Sequence, residues 1–308
     1  MDLAGRRVLV TGGAGFVGSH FADRLVENNE VVIVDDLRSG DQGWVPDEAE
    51  FVQGNLTEPG LAAEVITDDL DLVVHCAADK SVERDDIAQF RLNNRLTEQV
   101  LDRMVEVDVR HLAFTSSSTV YGEAPRPTPE THPQEPISIY GASKVAEEAL
   151  LSVYGHSHGF TTWTFRFANV VGPRLQSGQV MVDFIEKLEA NPERLEVLGD
   201  GEQRKSYLHI SDCLEAMTRV IESADEPVNV YNLGTANATS VDEIAHIVAD
   251  EMGLDPELDH TGGDRGWVGD VPRMQLDVSK LEALGWEAEL GSTEAVRRAT
   301  RELLEERG

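Results

Sequence analysis

Cysteine is nearly missing: the chain of 308 residues holds two, Cys76 and Cys213. Two thiols build neither a disulfide framework nor a cysteine metal cluster, so no metal is expected and both read as core residues. Long apolar runs are missing as well. No stretch approaches a membrane span, and the early run Val8-Leu9-Val10 ends in glycines after three residues, unlike a secretory signal. The expectation is a cytoplasmic protein with no membrane partner, in which the Asn-x-Thr triplets at Asn55 and Asn237 are chance. Positive charge is the third scarcity. There are 26 basic against 57 acidic residues, a net charge of −31, and the only lysines are Lys80, Lys144, Lys187, Lys205 and Lys280. Such a balance repels a phosphate backbone, which argues against nucleic-acid binding. Acid spread along the chain, instead of gathered in a tail, suits a high-salt cytosol where screening offsets self-repulsion, so a halophilic protein is expected. No repeat, low-complexity tract or flexible linker is found. The length allows two lobes or one large domain.

What is present is a short apolar strand, Arg7-Val8-Leu9-Val10-Thr11, running into Gly12-Gly13-Ala14-Gly15-Phe16-Val17-Gly18-Ser19. Gly12 or Gly13 supplies the angles of a tight turn, Gly15 lets a pyrophosphate reach the first amides of the next helix, at Phe16 and Val17, and Gly18 lets that helix pack on the strand. The helix, Phe16 to Asn28, leads to a second strand, Val31 to Val34, ending at Asp35. This completes a βαβ dinucleotide cradle. An acid at that strand tip faces the adenosine ribose and repels a 2′-phosphate, so Asp35 favours NAD over NADP. Arg38 is the one dissenting residue, read as a solvated loop arginine.

Further along, Glu50 to Gly54 reads as the third strand, with Asn55 and Leu56 placed for adenine, and Glu58 to Ile66 as a helix. The run Asp71 to His75 suits a buried parallel strand, and Cys76, Ala77 and Ala78 at its C-terminal end leave room for a cofactor. His75 reads as a core or strand-end histidine. A long helix spans Asp85 to Val107; a fifth strand, His111 to Thr115, runs into Ser116-Ser117-Ser118-Thr119-Val120-Tyr121-Gly122; Glu123 to Pro136 is a proline-rich loop. Then Tyr140-Gly141-Ala142-Ser143-Lys144 opens a helix. Four-residue spacing puts Tyr140 and Lys144 on one face, where the ammonium is expected to lower the phenol pKa and make it a usable base. After a sixth strand, Thr162 to Phe167, the βα alternation loosens into a smaller lobe. The expected fold is α/β: a Rossmann-type, doubly wound parallel sheet over 1–175 and 207–238, with a smaller mixed α/β substrate-binding lobe over 176–206 and 239–308.

These motifs, with Val34-Asp35-Asp36-Leu37, Gly199-Asp200-Gly201 and Gly269-Asp270-Val271-Pro272, resemble the extended short-chain dehydrogenase/reductases. Within them the chain is similar to NAD-dependent nucleotide-sugar epimerases and dehydratases, above all to UDP-galactose (UDP-glucose) 4-epimerases of the archaeal kind. The resemblance implies that Asp35, Asp36 and Leu37 hold the adenosine half, that Lys80, Asn93 and Ala168 touch NAD, and that Lys144 binds the nicotinamide ribose. It makes Ser117 the hydroxyl donor to the sugar O4 and Tyr140 the base. Asn169, Lys205 and Asp270 would grip the nucleotide diphosphate, with Arg204 able to share that task. The implied chemistry is oxidation at C4, turnover of the 4-keto sugar and return of the hydride to its other face, with a UDP-sugar as substrate, NAD as cofactor and a homodimer as the assembly.

Some positions depart from the family pattern. Asn55 stands where Asp is common, Lys205 where Arg is common, and Trp267 where an arginine precedes the Asp by three. Diphosphate binding is then expected to draw on Arg204, Arg265 or Arg273. Met274 falls where bulk at sugar C2 is gated, which disfavours N-acetyl sugars. A 4,6-dehydratase or a decarboxylase would need a titratable acid at Ser118 or Thr119, and neither residue is one. A UDP-glucuronate 4-epimerase stays open, and a catalytically silent NAD-binding protein is the non-enzyme alternative.

Overall fold

The computed structural model describes residues 1–80, 86–266 and 271–308. Six apolar runs form β1 (Arg7–Thr11), β2 (Glu30–Asp35), β3 (Glu50–Gln53), β4 (Leu72–His75), β5 (His111–Ser117) and β6 (Thr161–Phe167). With Val228–Leu233 they make one sheet of seven strands, in the order Val228–Leu233, β6, β5, β4, β1, β2, β3. The pairs β1 with β2, β1 with β4, β2 with β3 and β4 with β5 are parallel. Strand order reverses between β1 and β4, which leaves a crevice at their C-terminal ends, the usual ligand position in such sheets. The Rossmann-type α/β fold is therefore present.

All four residues of β4 are buried, as a strand covered on both faces requires. Leu9, Val32, Val73, Leu112 and Phe114 of the sheet share one core with Leu96, Val100 and Met104 of α3 (Ile87–Glu106) and Leu151 of α4 (Ile139–Ser157). The carboxylate of Asp86 caps α3 by accepting from Ala88 N and Gln89 N, and the hydroxyl of Ser138 caps α4 by accepting from Gly141 N. The expected start of α3 at Asp85 lies outside the described residues. The helix expected over Glu58 to Ile66 is only α2 (Leu61–Val65), because Pro59 precedes Gly60, which takes a left-handed φ of +89° and starts the helix late. The first helix, α1, runs from Phe16 to Val26.

The chain divides into two compact units: 1–120, 136–166 and 217–231 form the first, and 121–135, 167–216 and 232–308 the second. Relative to the expected division, 121–135, 167–175, 207–216 and 232–238 fall in the second unit. That unit contains three small sheets. Arg194–Val197 pairs with Glu257–His260, Asn169–Val171 pairs with Tyr207–His209, and Arg204–Lys205 lies between Thr239–Ser240 and Arg273–Met274. Its helix Val241–Met252 opens on a capping box, in which Ser240 and Glu243 bond each other's backbone N–H. Among the described residues no helix is long and apolar enough to cross a membrane.

Candidate active site

The cradle is built by glycines, of which Gly12 and Gly18 leave no room for a Cβ. Gly12 has φ +66°, and a Cβ there would stand 2.7 Å from Ala77 N; a Cβ on Gly18 would stand 2.2 Å from Gly12 O. Gly12, not Gly13, makes the turn, pressing it onto the end of β4, while Gly18 seats α1 beneath it. At Gly15 an added Cβ would meet only Gly12 O, at 3.2 Å. Gly15 is the N-cap of α1 and supplies no side-chain cap, so no N-cap side chain covers the first amides of Phe16, Val17 and Gly18. An anionic pyrophosphate fits such an uncovered helix start.

The tip of β2 is equally prepared. Asp35 accepts from Ala14 N at 3.1 Å and Leu37 N at 2.8 Å, and Leu37 adopts φ +57°. Burial raises the Asp35 pKa, and those two backbone bonds oppose it. Asp36 accepts from Asn55 Nδ2 at 2.8 Å, so the asparagine that replaces the usual acid removes a like-charge clash and orients Asp36. Arg38 is an exposed loop arginine, as expected. Its guanidinium lies 3.4 Å from Asp36 and 3.9 Å from Asp79, leaving it occupied by acids and poorly placed to neutralise a 2′-phosphate. Leu56 is buried beside this tip, and Lys80 is exposed.

Beyond β4, Cys76, Ala77 and Ala78 are all partly buried, and burial pushes the Cys76 thiol up to about 12, so it stays a neutral thiol. Asn93 of α3 is fully buried. Its amide accepts from Asp79 N at 2.8 Å and donates to Asp79 O at 3.0 Å and Ser143 Oγ at 3.1 Å. Those bonds tie the segment after β4 to α4.

Ser117, Tyr140 and Lys144 all belong to the first unit. Ser117 ends β5, and a Cβ on Gly141 would stand 2.7 Å from Thr119 O, so only glycine lets the first turn of α4 rest against the Ser117–Thr119 turn. Ser117 Oγ accepts from Thr119 N at 3.2 Å and from Thr119 Oγ1 at 3.0 Å. With both lone pairs used, its own hydroxyl hydrogen is left to donate. The Lys144 ammonium is buried, 5.7 Å from the Tyr140 ring centroid and 4.4 Å from that of Phe114.

The electrostatics correct one expectation. Burial raises the Tyr140 pKa above its ordinary value; Lys144 lowers it as anticipated, but the smaller of the two effects is the lysine's, and Glu147 adds a further rise. Glu147 is fully buried, with Oε2 3.4 Å from Lys144 Nζ. Burial pulls the Lys144 pKa down, yet the charges of Glu147 and Tyr140 more than reverse this, so it stands raised. Glu147 was missed at the sequence level, although its place three residues beyond Lys144 on a helix was the available signal. Its neighbour Glu148 has a structural task, accepting from Ser116 Oγ on β5 and pairing with Arg166 on β6 through Nη2 at 2.6 Å and Nε at 3.1 Å.

In the second unit, Ala168 is buried and donates its N–H to Leu233 O, and Asn169 donates from Nδ2 to Ser206 O at 3.4 Å. Register sorts the cations. Arg204 pairs with Arg273 and Lys205 with Met274, so Arg204 and Arg273 share one face of that small sheet and Lys205 shares the other with Met274. Arg204 is held by Glu243 Oε2 at 2.8 Å and Ala238 O at 2.8 Å, and Arg265 by Glu123. Arg273 forms no ion pair with any described residue. Asp270, and with it Trp267, lies outside the described residues. No group of three or more His, Cys, Asp or Glu side chains among the described residues is arranged to hold a metal ion.

A glycine cradle, an acid at the second strand tip and a Tyr/Lys pair on one sheet define the class of NAD-binding Rossmann-fold proteins. Residues 8–234 match the profile of the NAD dependent epimerase/dehydratase family, and the chain belongs to that family. It is 33% identical over 94% of its length to a Methanocaldococcus jannaschii protein, itself only provisionally assigned as a UDP-glucose 4-epimerase, 96% of which is covered. Among solved structures it is similar to a UDP-galactose 4-epimerase (42% identity, TM-score 0.87, 97% and 99% of the two chains). It is likewise similar to the Thermus thermophilus UDP-glucose 4-epimerase in complex with NAD (32%, TM-score 0.85, 96% and 98%). The likeness extends to other sugars, as in a UDP-N-acetylglucosamine 4-epimerase from Methanobrevibacter ruminantium (26%, TM-score 0.88, 98% and 99%). NAD is the cofactor of this family and fits the cradle described above.

Proposed function

We propose that the protein interconverts UDP-galactose and UDP-glucose by transient oxidation at sugar C4. The observation that carries this reading is the grouping of Ser117, Tyr140 and Lys144 at the β5–α4 turn of the unit that holds the cradle. NAD, when bound, supplies the acceptor and later the donor of the C4 hydride. The chain's own part is proton handling and orientation. Tyr140, as the phenolate that Lys144 steadies, takes the O4 proton as the C4 hydride leaves and becomes a neutral phenol. Ser117, with its lone pairs filled by Thr119, donates its hydroxyl hydrogen to O4 and orients it toward Tyr140. On return of the hydride, Tyr140 gives the proton back.

Dehydration across C5–C6 would need a titratable acid beside Ser117, and Ser118 and Thr119 offer none. Asn169, Lys205 and Asp270 remain the proposed contacts to the nucleotide diphosphate. Of the arginines expected to supplement them, Arg204 and Arg265 are engaged by carboxylates and Arg273 lies on the sheet face opposite Lys205, so Lys205 is the proposed cation at the diphosphate. Met274, on the Lys205 face and buried, favours hexoses over N-acetylhexosamines. The test is an NMR or chromatographic assay in concentrated KCl with UDP-galactose and no added NAD. UDP-glucose should form. No product with UDP-galactose even after NAD is supplied, but product with UDP-glucuronate or an N-acetyl sugar, would overturn the substrate.

A further inference from the structure

The mechanism leaves the buried carboxylate of Glu147 unused. Glu147 has no exposed surface, and its Oε2 has no hydrogen-bond donor among the described residues, only the Lys144 ammonium at 3.4 Å. Its Oε1 accepts from Thr97 Oγ1 of α3 at 2.7 Å. Thr97 Oγ1 is also 3.1 Å from His75 Nε2, His75 Nδ1 is 2.6 Å from Thr11 Oγ1, and Ala77 N lies 3.3 Å from the same Thr11 oxygen. Every one of these residues belongs to the first unit.

The donors can be assigned from one end. A carboxylate only accepts, so Thr97 spends its hydroxyl hydrogen on Glu147 and must accept from His75 Nε2–H. The ring is neutral, because burial and the nearby Lys144 charge pull the His75 pKa down to about 3. Its Nδ1 is therefore bare and accepts from the Thr11 hydroxyl, whose oxygen accepts from Ala77 N–H. Each hydrogen bond from Ala77, beside the cofactor turn, points the same way and ends on Glu147. A protonated Glu147 would not require this direction.

We infer that Glu147 is a positioning residue for Lys144: a carboxylate fixed by a one-way hydrogen-bond chain from the cofactor strand, which draws the ammonium toward itself and so limits what Lys144 gives to the Tyr140 phenolate. The inference rests on the reading of Tyr140 as the base. The titratable groups facing Lys144 are Tyr140 and Glu147 on its own helix and His75 and Cys76 from the end of β4. His75 and Cys76 are uncharged near neutrality. From the other packed elements come Thr97 and Asn93 of α3 and the Phe114 ring of β5, none of them ionisable. Glu148 is turned to Ser116 and Arg166. Glu147 is therefore the one anion in this group.

The test is an ultraviolet titration of phenolate in the NAD-loaded protein in concentrated KCl, without sugar, taking the difference against Tyr140→Phe to isolate one of the five tyrosines. Glu147→Gln should lower the Tyr140 midpoint by about one pH unit, since one nearby negative charge is lost and the ammonium is released. Glu147→Asp should restore most of the parent value. Should Glu147→Gln fail to fold, Glu147→Met removes the same charge with an apolar side chain of similar length and should move the midpoint the same way. An unmoved midpoint in whichever variant folds, or a His75 ring protonated on Nδ1 by nitrogen NMR, overturns the inference. Because no sugar is present, a wrong substrate assignment leaves this readout unaffected.

Discussion

Acid should weaken this fold through His75 by a calculable amount. The imidazole is enclosed between Thr11 and Thr97 and stays neutral in the folded protein down to about 3, against 6.5 for an ordinary histidine. Between those values the unfolded chain binds a proton there that the folded chain refuses, so stability falls as pH falls. Each unit in that window costs about 1.4 kcal/mol, and from pH 6.5 to pH 5 the loss is about 2 kcal/mol. Urea unfolding in concentrated KCl at pH 7 and pH 5, on the parent and on His75→Gln, reads this directly. Carboxylates titrate in both proteins and cancel in the double difference. The parent should lose about 2 kcal/mol more than the variant. Equal losses would refute the picture of a neutral, sealed imidazole and, with it, the assigned direction of the hydrogen bonds around it.

Tyr140→Phe should reduce turnover at least about 100-fold while NAD stays bound; near-parent activity would remove Tyr140 as the base. Gly18→Ala forces a Cβ to 2.2 Å from Gly12 O and should cost about 2 to 3 kcal/mol and weaken NAD binding, seen by thermal melts with and without NAD; a melt equal to the parent's would show that the turn relaxes freely. Glu148→Ala strands the buried Arg166 guanidinium and should cost about 3 to 5 kcal/mol, whereas Glu148→Met with Arg166→Met should recover most of it in denaturant unfolding. With 57 acidic residues against 26 basic, the melting temperature should fall when concentrated KCl is replaced by dilute buffer; an unchanged melt would contradict the expected salt requirement.

The cradle and the central strands were legible because their signals are local: glycine spacing, four-residue apolar runs and an acid at a strand tip. Where a local signal competed with another, it failed. Gly60 delayed α2 despite the apolar pattern around it. The faces of Arg204 and Lys205 needed the partner strand Arg273–Met274 before they could be assigned. The contacts that tune the Tyr/Lys pair bring together Thr11, His75, Thr97 and Glu147 from four separate elements, and no spacing rule links such positions. The sequence could reveal Tyr140 and Lys144 as partners, but only folding disclosed that a buried acid competes for the ammonium.

The last strand of the main sheet, Val228–Leu233, also determines when the sheet can exist at all. It lies beyond β6 at the sheet's end, and just before it Ala224 O accepts from the Trp163 indole N–H at 2.8 Å. During synthesis β6 therefore emerges long before its neighbour and presents an unpaired apolar edge, with its indole lacking this acceptor, until about sixty further residues have been made. In a strongly acidic chain like-charge repulsion between nascent copies is the natural guard over that interval, which gives the surface charge a use during birth as well as in the finished protein.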